Sequence, residues 1–391
     1  MQNYLIFFLV SLLLSSCQSL PDRSPVPNEL VKSVGIPGIP GARFWGDEWS
    51  AFSFTRFNSL NDEILEKDFS ATYEKEHHYL TISGGGPNGA YGAGLLTGWS
   101  ELGTRPEFTM VTGVSTGALS APYAFLGSDY DFELKKLYTT HGTKDIVNER
   151  NIISAAFGDA LSGTEPLLKI IQDGVTKEVV AKIAAEHKKG RRLFIGTVNL
   201  DAGRSVIWNI GAIAISNHAK KDELIHQVIL ASASIPVAFP PVQIDVDAGG
   251  KTYHELHVDG GTASQVFVYP AAVDWKAITK KLKVKGTPKV YVIRNAFLKA
   301  DYQGINRSVL PIAARSIDTL IRTQGIGDIY QIFALCKRDG NDFKLTYIPE
   351  SFTEKAEEIF DVKYMRKLYQ FGIDKAKAGD VWTSAPPNFI K

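Results

Sequence analysis

Three short stretches of this chain carry residue types that could do chemistry together. In Gly113-Val114-Ser115-Thr116-Gly117 a serine stands between two glycines. It lies where the apolar run Phe108 to Val114 gives way to the helix-compatible Ala118-Leu119-Ser120-Ala121. That arrangement reads as a nucleophile elbow. The glycines permit a sharp turn that holds the hydroxyl out beyond a strand's carboxyl end, and the helix behind it aims free N–H groups and its positive dipole end at the site. Upstream, Gly84-Gly85-Gly86-Pro87-Asn88-Gly89 follows a strand-like run and opens another helix. Downstream, Val258-Asp259-Gly260-Gly261 sets a carboxylate at a strand end, ahead of two glycines.

Each stretch also has a plainer meaning. At ordinary glycine and serine frequencies an elbow pattern arises by chance in about one chain in ten of this length, and Asp-Gly is a common turn. The glycine loop suits two chemistries. A dinucleotide site wants an acidic residue at the end of the next strand to hold the ribose, but here that strand runs into Gly113 and Ser115. An oxyanion hole needs only exposed backbone N–H groups. Pro87 has none, so donation falls mainly to Gly85 and Gly86, with Asn88 as a further candidate. The histidines then separate two mechanisms. A hydrolase triad ordered Ser, acid, His needs a histidine after the acid, yet the last histidine is His257. His254 and His257, and likewise His77 and His78, read as packing or surface residues. Ser115 must use another base, and Asp259 is the candidate.

The elements around these stretches alternate. Strands are expected at Tyr79 to Ser83, Phe108 to Val114, Leu193 to Val198, Val206 to Ile210, Tyr253 to Val258 and Lys289 to Ile293. The third and fourth would form a hairpin across Asp201-Ala202-Gly203. Helical patterns run from Phe132 to about His187, Leu224 to Ser232, Arg307 to Cys336 and Tyr364 to Lys377. Strands alternating with helices imply an α/β fold with a mainly parallel sheet covered on both faces. Ligands of such sheets bind beyond the carboxyl ends of the strands.

With the three motifs in this order and spacing, the chain resembles patatin-family acyl hydrolases. Secondary marks agree: Ala231-Ser232-Ala233-Ser234-Ile235-Pro236 ahead of Phe239-Pro240-Pro241, and Asn199-Leu200-Asp201-Ala202-Gly203. The resemblance covers Tyr79 to Gly261 well and the carboxyl-terminal third loosely. It implies a three-layer α/β/α domain and a Ser115–Asp259 catalytic dyad working through an acyl-enzyme. In that scheme Gly84, Gly85, Gly86, Asn88 and Gly89 form the oxyanion loop, Gly113, Thr116 and Gly117 the elbow, and Gly260 and Gly261 the turn after the base. The substrates implied are fatty-acyl esters of phospholipids, lysophospholipids or related lipids. Asn88 departs from the family, many of whose members carry Arg or Lys there. An acyltransferase using the same dyad and a non-catalytic lipid-binding envelope protein are the competing expectations.

The rest of the chain bounds this reading. Its 391 residues, 44% hydrophobic and 22% charged, suit one large α/β domain, and a net charge of +1 gives no support for nucleic-acid binding. The nearly all-apolar Tyr4 to Leu14 is about half the ~20 residues of a membrane-spanning helix, so residues 1–16 read as a signal peptide. Leu14-Ser15-Ser16-Cys17 resembles the lipobox of bacterial lipoproteins, which implies lipidation at Cys17 and a membrane-anchored place in the cell envelope. Gln18 in place of Asp favours the outer membrane. Residues 17–43, rich in Pro and Gly, read as a tether, and residues 44–391 as the hydrolase domain. The only other cysteine, Cys336, lies in an apolar run and reads as a small buried residue. The motif residues require neither metal nor cofactor, and lipid is the partner they imply.

Overall fold

The computed structural model describes residues 23–48, 51–149 and 162–389. The signal peptide, Cys17 and the apolar stretch Ile152 to Phe157 therefore lie outside the described residues. A nine-stranded mixed sheet forms the middle layer. Its strands are β1 (Arg43–Trp45), β2 (His78–Ile82), β3 (Met110–Gly113), β4 (Arg192–Asn199), β5 (Arg204–Asn209), β6 (Val242–Ala248), β7 (Lys251–Asp259), β8 (Lys289–Arg294) and β9 (Asp342–Tyr347). The ladder β4-β3-β2-β8-β9 is parallel throughout. To β4 the expected hairpin adds β5 antiparallel, closed at Asn199 and Arg204, and β1 caps that edge. The far half of β4 also carries β7 antiparallel, with Thr197 opposite Asp259, and β6 pairs with β7. The architecture is the expected three-layer α/β/α.

Alternation along the strands builds two cores, since successive side chains point to opposite faces. Leu80, Ile82, Val111 and Ile293 enter one cluster with helices α1 (Gly89–Glu101), α2 (Thr116–Leu126), α3 (Lys177–Lys188), α4 (Lys221–Ser232) and α6 (Val362–Ala378). Tyr79, Met110, Val290 and Val292 enter the other, beneath α5 (Val309–Asp339). Burial on both faces is why these strands read as nearly continuous apolar runs. Cys336 is fully buried in the second cluster, in line with its apolar run. Helix α1, which carries the glycine loop, meets α6 backbone to backbone: a Cβ on Gly94 would stand 1.9 Å from the Tyr369 carbonyl oxygen. The carboxyl-terminal helix is thus part of the scaffold behind the loop.

Two sequence expectations need correction. Residues 23–43 do not form a free tether. Ser24 pairs with His254, Gly35 bridges Asp247, and Ile36, Ile39 and Ala42 are buried in the first core. The prolines and glycines there turn the chain across the β6–β7 hairpin. Strands β1, β6 and β9 were also not anticipated. Of these, Val242-Gln243-Ile244-Asp245-Val246-Asp247-Ala248 alternates apolar and polar and runs into Gly249-Gly250, a hairpin signal in the sequence itself.

Candidate active site

Strand β3 ends at Gly113 and α2 begins at Thr116, which leaves Ser115 in the turn at φ 56°, ψ −126°. Such a backbone is costly for a residue with a side chain and persists only where its surroundings enforce it. They do so here. A Cβ on Gly113 would lie 2.5 Å from the Gly117 carbonyl oxygen, and one on Gly117 2.1 Å from that of Ile82, so the turn closes only with glycine at both positions. The Ser115 N–H donates to Ser232 Oγ (3.0 Å), and that hydroxyl donates to the Gly196 carbonyl (2.7 Å).

The glycine loop lies directly against the serine: a Cβ on Gly84 would meet Ser115 Cβ at 3.1 Å. Its N–H groups divide into occupied and free. Gly84 donates to the Gln265 carbonyl (3.1 Å) and Asn88 turns back to the Gly85 carbonyl (3.1 Å), so neither is a candidate donor to an oxyanion. The N–H groups of Gly85, Gly86 and Thr116 have no acceptor among the described residues. Thr116 is the residue after Ser115 and opens α2, a position whose N–H has no partner within its helix. Its hydroxyl is occupied by Tyr138 (2.6 Å). Gly89 lets α1 approach this point, since a Cβ there would stand 2.3 Å from Thr116 Oγ1. Asn88 ties the loop to α6 by accepting the Tyr364 hydroxyl proton (2.7 Å).

Residues that the sequence did not announce hold the loop from behind. Asn295 receives the Gly92 N–H on Oδ1 (3.0 Å), donates to the Ser83 carbonyl (3.1 Å) and packs its own carbonyl on Gly85. Gln265 donates to the Gly261 carbonyl (2.8 Å) and lies beside Gly84, joining the loop to the Asp-Gly-Gly turn. The buried Arg294 guanidinium stands 3.4 Å from both the Gly84 carbonyl and Gln265 Oε1. It brings a cation to the back of a loop that lacks one at Asn88. The one signal for Arg294 and Asn295 was position, as polar residues at the carboxyl end of an apolar strand in a mainly parallel sheet. Gly85→Ala is expected to lower kcat about a hundredfold or more with the fold retained by thermal melt. A methyl group there would lie 2.0 Å from the Asn295 carbonyl oxygen and push the donors out of place.

Asp259 ends β7 and is buried at Ser115. Oδ1 accepts the Gly261 N–H (2.7 Å). Burial pushes the carboxyl up to about 7, a rise opposed by the nearby Ser115 hydroxyl and by the Gly261 N–H. Near neutral pH such a group is a far better base than an exposed aspartate. A Cβ on Gly260 would lie 2.4 Å from the Gly196 carbonyl oxygen, which fixes glycine after the acid. No histidine joins the pair. His257 is buried between Glu255 (2.9 Å) and Thr197 (2.9 Å). His141 lines the pocket, but its charged neighbours are Asp145, Lys136 and Asp173.

The pocket over Ser115 is apolar, walled by Leu119, Ile146, Leu167, Phe239, Phe360 and Met365, with about 50 Å³ free. That is the space of one or two waters. Among the described residues no group of His, Cys, Asp and Glu is placed to hold a metal ion.

A mainly parallel α/β/α sheet with a strained serine at the elbow between β3 and α2 defines a patatin-like fold. Residues 80–272 match the family model of patatin-like phospholipases, and over that span the chain carries a patatin-like phospholipase domain. Among solved structures, VipD from Legionella pneumophila is similar at 14% identity, covering 77% of this chain and 67% of that one with a TM-score of 0.36. Human GIVD cytosolic phospholipase A2 is similar at 10% identity, with coverage of 81% and 54% and a TM-score of 0.34. ExoU of Pseudomonas aeruginosa, solved with SpcU, is similar at 11%, with coverage of 78% and 52% and a TM-score of 0.32. The chain thus spans about two thirds of the first and about half of the other two. No curated protein sequence matches it.

Proposed function

We propose that this protein is a serine acyl hydrolase that cleaves fatty-acyl esters of phospholipids, lysophospholipids or related lipids through a Ser115–Asp259 dyad. One observation carries the reading: Ser115, held in a strained elbow at an apolar pocket, neighbours the buried Asp259 carboxyl, whose basicity burial raises to about 7. Ser115 Oγ attacks the ester carbonyl while Asp259 takes its proton. The N–H groups of Gly85, Gly86 and Thr116 receive the oxyanion. Collapse expels the alcohol, protonated by Asp259, and leaves the acyl group on Ser115. Asp259 then activates water, and the fatty acid departs.

The lipid surface is met at the same end of the molecule. Gly325 of α5 packs on Arg294 behind the glycine loop, and the helix before it exposes Val309 (81%), Ile312 (48%) and Leu320 (69%). Val309→Asp with Leu320→Asp is expected to lower hydrolysis of phospholipid vesicles several-fold and to leave turnover of a soluble short-chain ester unchanged. No described helix is long and apolar enough to cross a membrane. The proposed attachment remains a lipid on Cys17 at the outer membrane. With Arg23 docked on Asp201, the chain from Cys17 reaches about 20 Å at most, which holds the domain close to the surface.

The test is hydrolysis across a lipid panel by wild type and Ser115→Ala. Release of free fatty acid by wild type alone supports the proposal. Transfer to an added alcohol in place of water would make it an acyltransferase, and no turnover of any acyl ester would leave a lipid-binding protein.

A further inference from the structure

A second cavity, of about 550 Å³, lies away from Ser115 and shares no lining residue with its pocket. It sits on the opposite sheet face, against Tyr79, Met110 and Phe194 near the amino ends of β2, β3 and β4, whereas Ser115 lies past their carboxyl ends. Its size is that of a small-molecule site. Phe44, Phe69, Ile207, Trp275 and Leu282 give it apolar walls, and no Asp or Glu lines it.

Most of its polar groups are already engaged. Arg43 is paired with Glu255, and Thr109 donates to the His78 carbonyl. His77 is held between Tyr79 (2.6 Å) and the Thr72 carbonyl (2.8 Å), and burial lowers it to about 4, so it is neutral. Arg192 differs. Only Nη1 is bonded, to the carbonyls of His187 (3.1 Å) and Arg191 (2.9 Å), while the guanidinium lies 5.4 Å from the Phe69 ring centroid. Among the described residues no carboxylate pairs with it. Its neighbour Arg191 has Glu186 at 2.9 Å. Burial pulls Arg192 down to about 10, so it remains a cation at neutral pH. The side chain is half-buried, and a guanidinium with free N–H groups and no carboxylate partner matches a carboxylate or phosphate.

We propose that this cavity binds a single-chain amphiphile with an anionic head, the head on Arg192 and the chain along the apolar walls. The site is independent of the Ser115 chemistry, so its failure and that of the hydrolase reading are separate results.

The test uses the full chain with Ser115→Ala, which cannot turn over ligand, and equilibrium dialysis of laurate, 1-lauroyl lysophosphatidate and 1-dodecanol. Arg192→Met is expected to weaken both anions at least tenfold and dodecanol less than twofold, and retained dodecanol binding reports that the fold persists. Tighter binding of lysophosphatidate assigns a phosphate head, and tighter binding of laurate a carboxylate. Unchanged laurate and lysophosphatidate affinity in Arg192→Met, or an equal loss for all three ligands, would overturn the proposal. Independently of that variant, a diazirine-bearing laurate should crosslink to peptides holding Phe194 or Trp275. Crosslinks confined to the Ser115 pocket would also overturn it.

Discussion

Ser115→Ala is expected to abolish ester hydrolysis, with a loss on the order of 10⁴- to 10⁶-fold in kcat, and to leave the melting temperature nearly unchanged. The two halves of this expectation have different causes. The hydroxyl is the only atom removed, and the other hydroxyl of the elbow, on Thr116, is held by Tyr138. The elbow itself is closed by Gly113 and Gly117 and held by the Ser115 N–H on Ser232, contacts that alanine keeps. Activity in an ester assay and a thermal melt read the two halves separately. Retained turnover would remove Ser115 from the chemistry. A collapsed fold would assign it to the scaffold.

Asp259→Asn should also lower the rate by three orders of magnitude or more, and it should raise stability. The carboxyl titrates at about 7 in the fold against 3.8 when free, so the folded state favours its protonated form. The resulting stabilisation is fully present below about pH 4 and is lost as pH rises through about 7. Above pH 7 the wild type holds a buried carboxylate, at a cost of up to about 4 kcal/mol. Asparagine carries no charge and can still accept the Gly261 N–H. The variant is therefore expected to melt higher than wild type at pH 8, with the difference closing near pH 4. The same titration governs catalysis: wild-type kcat/KM should fall tenfold per pH unit below about 7 as the base is protonated. Melting curves and a pH–rate profile check both signs.

These effects come from residues whose types and order were legible in the sequence. The elbow and the glycine loop each follow an apolar run that is a strand because both its faces are buried, and Asp259 closes the more polar strand β7, so motif and positioning element were read together. Their partners were not legible. Asn295 and Gln265 act through the ends of elements distant in sequence, Ser232 stood in a family mark with no role attached, and no local pattern marks a residue that braces another element. The assignment of donors within the loop shows the same limit. Asn88 looked like a donor by proximity, yet its N–H closes a local turn onto Gly85. Residues 23–43 mislead for a related reason. Ile36, Ile39 and Ala42 recur every third residue among prolines and glycines that exclude a helix, because they dock between turns onto a hairpin whose strand β6 was itself missed.

The central claim is that Asp259 activates Ser115. Its most direct measurement is the rate at which a fluorophosphonate labels the protein, with the modified residue located by mass spectrometry, in wild type and Asp259→Asn across pH 5 to 9. One adduct is expected, on Ser115, forming at a rate that rises with pH through about 7, with near-complete loss of labelling in the variant. Labelling of Asp259→Asn at the wild-type rate, or an adduct on another serine, would contradict it.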